Sequence, residues 1–206
     1  MEATQLFWLA PIGSVMALVY SYYFYARMMK SDPGSEKSQE IAGYVKEGAK
    51  SYLLAQYKIV GLFFIIAFAF FAFLAFVLEV QSPWTPIAFL TGGFFSALSG
   101  YLGMKTATSA SNRTAAAAST SLNAALQIAF RSGAVMGFVV VGLGLLDISI
   151  WWKILNYVLN NKELFKESIF AVNNYTEITT IMLTFGMGAS FQALFARVGG
   201  GIFTKA

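Results

Sequence analysis

Five stretches of mostly apolar residues dominate the sequence, each close to the roughly 20 residues that an α-helix needs to cross a membrane. They cover residues 6–26, 59–78, 87–104, 124–146 and 178–203. The second stretch carries no charge before Glu79, and the fourth and fifth each hold one cation, Arg131 and Arg197. Helices of a soluble bundle keep a polar stripe, which these stretches lack. The sequence therefore predicts an all-α, polytopic membrane protein with five transmembrane helices, and residues 1–206 form part of one transmembrane domain.

The composition supports this prediction and excludes several kinds of chemistry. Hydrophobic residues make up 57% of the 206 residues and charged residues only 12%, about half the charged share of a soluble domain. The chain has no Cys and no His. Disulfides, Cys-bound zinc and serine–histidine catalysis are therefore excluded within this chain.

The basic residues are distributed unevenly between the two sides of the membrane. The segments after the first, third and fifth spans, with the adjoining halves of the spans, hold eleven of the 14 Lys and Arg residues. They are Arg27, Lys30, Lys37, Lys46, Lys50, Lys58, Lys105, Arg113, Arg131, Arg197 and Lys205. The opposite side holds Lys153, Lys162 and Lys166. The positive-inside rule then predicts an outside N-terminus and a cytoplasmic C-terminus.

Two connections have recognisable patterns. Residues 36–57 form an amphipathic helix, expected on the cytoplasmic side and running into the second span. This helix would either lie at the lipid interface or project into the cytoplasm. Residues 147–177 are predicted as the longest outer loop, in which 151–170 could form a helix lying on the membrane.

The fifth span carries two cations in a row of small residues, Ala189, Ala193, Arg197, Gly201 and Lys205, at steps of four. Such rows let helices approach closely. Eight residues of helix place Lys205 about 12 Å from Arg197. Lys205 would lie at the cytoplasmic mouth and Arg197 deeper, where a charge must face protein or water. A functional pair and two structural cations are both compatible with this spacing.

Complete catalytic motifs are absent from the sequence. There is no G-x-x-x-x-G-K-[ST], no G-x-G-x-x-G and no G-x-S-x-G. The ten Asp and Glu residues are scattered, so neither a catalytic carboxylate pair nor a metal-ligand set is expected in this chain.

The last segment, G-A-S-F-Q-A-L-F-A-R-V-G-G-G-I-F-T-K-A (188–206), resembles the membrane-bound, ion-translocating pyrophosphatases. The segments E-G-A-K-S-Y-L with Q-Y (47–57), S-G-Y-L-G-M-K (99–105) and A-F-R-S-G-A-V-M-G (129–137) are also similar to this family. The resemblance covers nearly the whole chain. Members of the family have about sixteen spans by the same length rule, so the chain is expected to be the N-terminal third of such a protein.

The resemblance implies a function and specific residue roles. Members of this family couple pyrophosphate hydrolysis at the cytoplasmic face to outward transport of sodium or protons. By resemblance, Lys205 contacts pyrophosphate and Arg197 pairs with a carboxylate of another helix at the ion gate. Mg²⁺, its ligands and the catalytic carboxylates are expected beyond residue 206, and K⁺ is a candidate activator. The resemblance also implies a homodimer in contact with lipid and with the rest of the pump polypeptide, and without nucleic acid. The short N-terminus without a targeting segment predicts a bacterial cell membrane, with an archaeal one as the alternative.

Two other classes of function stay open from the sequence. One is a non-enzymatic five-span assembly or channel subunit, and the other is a fragment of a passive or secondary transporter that uses Arg197 for an anion. The sequence beyond Ala206 would distinguish them, because only the pump predicts an acidic, Lys-containing segment there.

Overall fold

A computed structural model describes residues 6–165 and 168–197 of the chain. Residues 1–5, 166–167 and 198–206, together with the side chain of Lys162, lie outside that description. The described chain contains five long helices and one short one. They are α1 (Leu9–Met29), α2 (Glu36–Phe76), α3 (Trp84–Ala118), α4 (Leu122–Asn160), α5 (Lys162–Phe165) and α6 (Tyr175–Arg197).

Each of the five long helices covers most of one predicted span, and the end of the fifth span, residues 198–203, lies outside the described residues. Each is long and apolar enough to cross a membrane, which confirms the predicted all-α fold with five transmembrane helices. The amphipathic segment 36–57 and the second apolar stretch belong to one unbroken helix, α2, because no Gly-Pro pair or turn sequence separates them.

The predicted outer loop 147–177 differs from the structure over its first part. Helix α4 continues through Asp147 to Asn160 instead of ending near residue 146, so the proposed membrane-lying helix over 151–170 does not start as a separate element. The continuation has a physical reason, because Trp151, Leu155 and Val158 recur at helical spacing and pack in a buried cluster with Ile178.

The chain divides into two compact units, each built from parts of several helices. The first comprises Met1–Ala55 and Leu98–Leu143, and the second comprises Gln56–Ala97 and Gly144–Ala206.

In the first unit, two buried serines join α1 to α4. Ser14 Oγ donates to the carbonyl oxygen of Gly142 at 2.7 Å, and Ser21 Oγ donates to that of Val135 at 3.2 Å. The serines are seven residues apart and so are their acceptors, which places both bonds along one contact of two antiparallel helices. Small residues allow the close approach that such bonds need.

The first unit is closed by the turn between α1 and α2. Gly34 has a φ of 84°, and its N–H donates to Asp32 Oδ1 at 2.8 Å. Asn112 of α3 donates through Nδ2 to the Pro33 carbonyl oxygen at 2.9 Å. The turn is therefore fixed to α3 by a side chain that satisfies a loop carbonyl.

In the second unit, aromatic and small residues pack α2, α3 and α6 together. Phe64 and Phe89 form a buried cluster, with Phe63, Phe71 and Phe195 packed on it. The indole N–H of Trp151 donates to Thr91 Oγ1 at 2.8 Å. Trp151 is 4% exposed and is thus a core residue, although its place in the sequence fits a membrane-interface belt.

Candidate functional site

The candidate site is the C-terminal end of α6, where the sequence placed both cations. Arg197 is the last described residue of this helix and is exposed. Lys205, predicted to contact pyrophosphate, lies outside the described residues. The structure therefore locates Arg197 and leaves its pairing with Lys205 as a prediction.

A polar side chain from α2 holds the last turn of α6. Gln56 donates through Nε2 to the carbonyl oxygen of Phe195 at 2.8 Å. This bond reaches the backbone two residues before Arg197, the last described residue of α6. The ring of Phe63 lies 4.9 Å from that of Phe195 and tightens the same contact. The backbone that carries Arg197 is thereby fixed to α2.

Glycine lets the middle of α6 pack directly against α3. A Cβ atom at Gly188 would collide with the carbonyl oxygen of Phe89, and one at Gly92 would collide with that of Phe185. One turn further along, Ser96 Oγ donates to the Ala189 carbonyl oxygen at 3.1 Å. These contacts set the height of α6 along α3, and hence the depth of Arg197.

The charged residues at the two ends of α6 have the signs that stabilise the helix dipole. Glu177 lies in the first turn and Arg197 in the last, which suits both ends of the helix dipole. Twenty residues of helix separate them by about 30 Å. Within residues 6–165 and 168–197 no ion pair to Arg197 is found, so a gate carboxylate would have to come from elsewhere in the protein.

The sequence analysis gave no structural role to three polar residues of this helix bundle. Gln56 and Tyr57 stand just before the apolar part of α2, and Tyr57 donates its hydroxyl to the Ala97 carbonyl oxygen at 2.7 Å. The signal available in the sequence was the polar pair Gln56-Tyr57 at the start of an apolar stretch, which marks side chains that need hydrogen-bond partners. Asp147 is 2% exposed, and its Oδ2 has no hydrogen-bond partner in the described part of the chain. It was missed because the sequence placed it in a loop.

The described residues hold no group of three or more acidic, His or Cys side chains that could bind a metal ion. The side chains at the end of α6 do not fit a Mg²⁺ site either, because Mg²⁺ prefers carboxylate oxygens. What the site offers is an exposed guanidinium on a backbone held by Gln56, and such a group suits a carboxylate or phosphate.

The fold and the apolar helices define a multi-pass α-helical membrane protein. The sequence profile described as "Inorganic H+ pyrophosphatase" matches residues 15–206. The chain belongs to this family.

Three curated relatives are similar over 98% of the chain. A protein of Bacteroides thetaiotaomicron, provisionally named a K⁺-stimulated pyrophosphate-energized sodium pump, is 59% identical over 201 residues. The K⁺-insensitive pyrophosphate-energized proton pump 2 of Moorella thermoacetica is 40% identical over 203 residues. The K⁺-insensitive pyrophosphate-energized proton pump of Methanosarcina mazei is 35% identical over 202 residues. The chain spans 27%, 27% and 26% of their lengths, respectively.

Proposed function

We propose that the chain is the N-terminal part of a pump that couples pyrophosphate hydrolysis to ion transport out of the cytoplasm. The match of the family profile to residues 15–206 carries this proposal. The exposed Arg197, next to the anchored backbone at the end of α6, adds a local reason, because a guanidinium is the side chain best suited to a carboxylate of another helix.

The residues of this chain would bind and position rather than catalyse. Lys205 would contact a phosphate oxygen of pyrophosphate as a compact cation, and Arg197 would hold the gate carboxylate bidentately. Mg²⁺, when bound, would neutralise the charge of pyrophosphate, and its ligands would come from outside this chain.

Sodium is the proposed ion. The relative with 59% identity carries a sodium-pump name, whereas those with 40% and 35% carry proton-pump names. By the same comparison, K⁺ would stimulate the enzyme. We further propose a homodimer in the cell membrane with the N-terminus outside, on the basis of the family resemblance and the eleven-to-three distribution of basic residues.

Inside-out vesicles that contain the full-length protein test this function. Pyrophosphate with Mg²⁺ should drive sodium uptake, K⁺ should accelerate it, and a protonophore should not abolish it. Proton uptake without added sodium would show that the transported ion is the proton and not sodium. Absence of pyrophosphate hydrolysis in the complete, folded protein would favour a non-enzymatic membrane assembly instead.

A further inference from the structure

The second unit contains a cavity of about 670 Å³ at the end of α6 opposite Arg197. It lies where α2 ends and α6 begins, and the turn between α2 and α3 closes one side. The polar side chains that line it include Glu79, Gln81, Ser82, Thr85 and Glu177. This cavity plays no part in the proposed function above.

Several lining groups have no hydrogen-bond partner among residues 6–165 and 168–197. Gln81 Oε1 and Ser82 Oγ are buried atoms of this kind. Thr85 is 2% exposed, and no hydrogen bond of its hydroxyl is found within the described residues. A buried polar group without a partner is destabilising, because it loses the hydrogen bonds that water would give it. Polar side chains without a described partner on one cavity wall favour a ligand that makes polar contacts there.

The two carboxylates are placed where a positive ligand would stabilise them. Glu79 follows the C-terminal end of α2, the negative end of the helix dipole. Its φ of 53° is a conformation that usually favours Gly, so the chain keeps a carboxylate there at a conformational cost. Glu177 accepts the Asn173 N–H at 3.0 Å through Oε2, which leaves Oε1 for a ligand.

The chemistry of the lining defines the class of ligand. Each polar side chain named above carries an oxygen atom that could ligate a cation. The described lining residues include no Lys or Arg. Hard cations prefer carboxylate, amide and hydroxyl oxygens. The cavity is larger than a bare ion, which therefore keeps part of its water shell. We propose that this cavity binds a hydrated alkali or alkaline-earth cation.

A thiol in the cavity wall tests the proposal in the full-length protein, with any native cysteines beyond residue 206 replaced. Thr176 is exposed and lines the cavity, so Thr176→Cys would react with small thiosulfonate reagents. A cationic reagent should react at least about tenfold faster than an anionic one, because negatively lined clefts concentrate cations by such factors. Asn160→Cys, exposed and outside the cavity wall, should show little preference.

Ion protection then separates a binding site from a negative surface. CaCl2 or NaCl, compared with choline chloride at equal ionic strength, should slow the labelling of Thr176→Cys. Protection by only one of the two salts identifies the cation. Adding Glu79→Gln and Glu177→Gln should abolish both the charge preference and the protection, whereas adding Glu163→Gln, outside the cavity wall, should change neither. Gln at 177 keeps an acceptor for the Asn173 N–H.

Equal rates for the two reagents, or a charge preference without protection by either cation, would overturn the proposal and leave a water-filled cavity. Pyrophosphate hydrolysis measured on the same samples keeps the two proposals apart. Protection of the thiol without any pyrophosphate hydrolysis would contradict the proposed pump function and support the cation site. Hydrolysis without protection would support the pump function and contradict the cation site.

Discussion

At the scale of single residues, Arg197 and Lys205 are expected to act on different partners. The predicted continuation of the helix to Lys205 would separate them by about 12 Å, too far for both to contact one phosphate. Lys205→Ala in the full-length protein should weaken pyrophosphate binding by about ten- to a hundredfold, the loss of one charge-assisted contact of roughly 1.5–3 kcal/mol. A direct binding titration of pyrophosphate measures this, and unchanged affinity would remove Lys205 from the substrate site.

Arg197→Ala should leave pyrophosphate affinity nearly intact and reduce ion uptake at least as much as hydrolysis. The variant would leave the gate carboxylate without its cation at depth, which costs more than the loss of a surface contact. Arg197→Lys should restore function only in part, because an ammonium lacks the planar fork that binds a carboxylate bidentately. If Arg197→Ala loses pyrophosphate affinity while transport stays coupled to hydrolysis, Arg197 belongs to the substrate site.

The sequence identifies residues whose chemistry conflicts with their surroundings and misses those whose surroundings only the fold creates. Arg197 could be found because a charge in an apolar stretch is costly wherever the helix packs. The role of Gln56 depends on Phe195, a residue 139 positions away, and no local pattern connects the two. Asp147 is ordinary in a loop and unusual only once α4 is seen to bury it.

At the scale of helices, the contact of α6 with α3 depends on which glycine faces the neighbour. Gly188→Ala should destabilise the protein by about 1–3 kcal/mol, because its Cβ would meet the backbone of Phe89, which cannot move aside as a side chain can. Gly186→Ala is the matched control, since its Cβ would meet no atom within 4 Å. Thermal unfolding of both variants in detergent measures the difference, and equal midpoints would contradict this contact.

The second prediction at this scale tests whether α4 is helical beyond residue 146, where the sequence predicted a loop. Ile154 lies in the continuation of α4 beyond residue 146. Ile154→Pro should destabilise the protein by about 3 kcal/mol or more, because proline removes a helix hydrogen bond and clashes with the preceding turn. Ile154→Ala changes the side chain alone and should cost much less. Similar unfolding midpoints for the two variants would restore the predicted loop.

Rows of small residues differ in whether the described structure covers them, and the reason is geometric. Gly92 and Ser96 do face α6. Gly133 and Gly137 of α4 form a similar row, but a Cβ at either would meet no atom within 4 Å in the described structure. A spacing of four specifies one helix face and does not identify the neighbour that covers it. That information lies in the tertiary fold.

At the scale of the whole chain, most of the apolar surface is left for lipid or for further helices. Only 17% to 33% of the most apolar part of each long helix is buried within the chain. The sequence anticipated this, because 12% charged residues cannot cover a water-exposed surface. Apolar length predicts that a helix crosses a membrane, and the positions of basic residues predict the side on which it starts.

The orientation is tested by introduced thiols, since residues 1–206 contain no native Cys and any cysteines beyond them can be replaced. Ser35 and Ser119, in the connections after the first and third spans, are both exposed, whereas Ser109 nearby is 7% exposed and would label poorly. Asn160, at the end of α4, is exposed and lies on the other side of the membrane in the predicted topology.

In sealed right-side-out vesicles of the full-length protein, a membrane-impermeant maleimide should label Asn160→Cys at once. It should label Ser35→Cys and Ser119→Cys only after permeabilisation. The excess of eleven basic residues over three favours this outcome, at about 1 kcal/mol per cation near an anionic cytoplasmic leaflet. The reverse pattern would place Arg197 and Lys205 outside the cell and contradict a cytoplasmic pyrophosphate site.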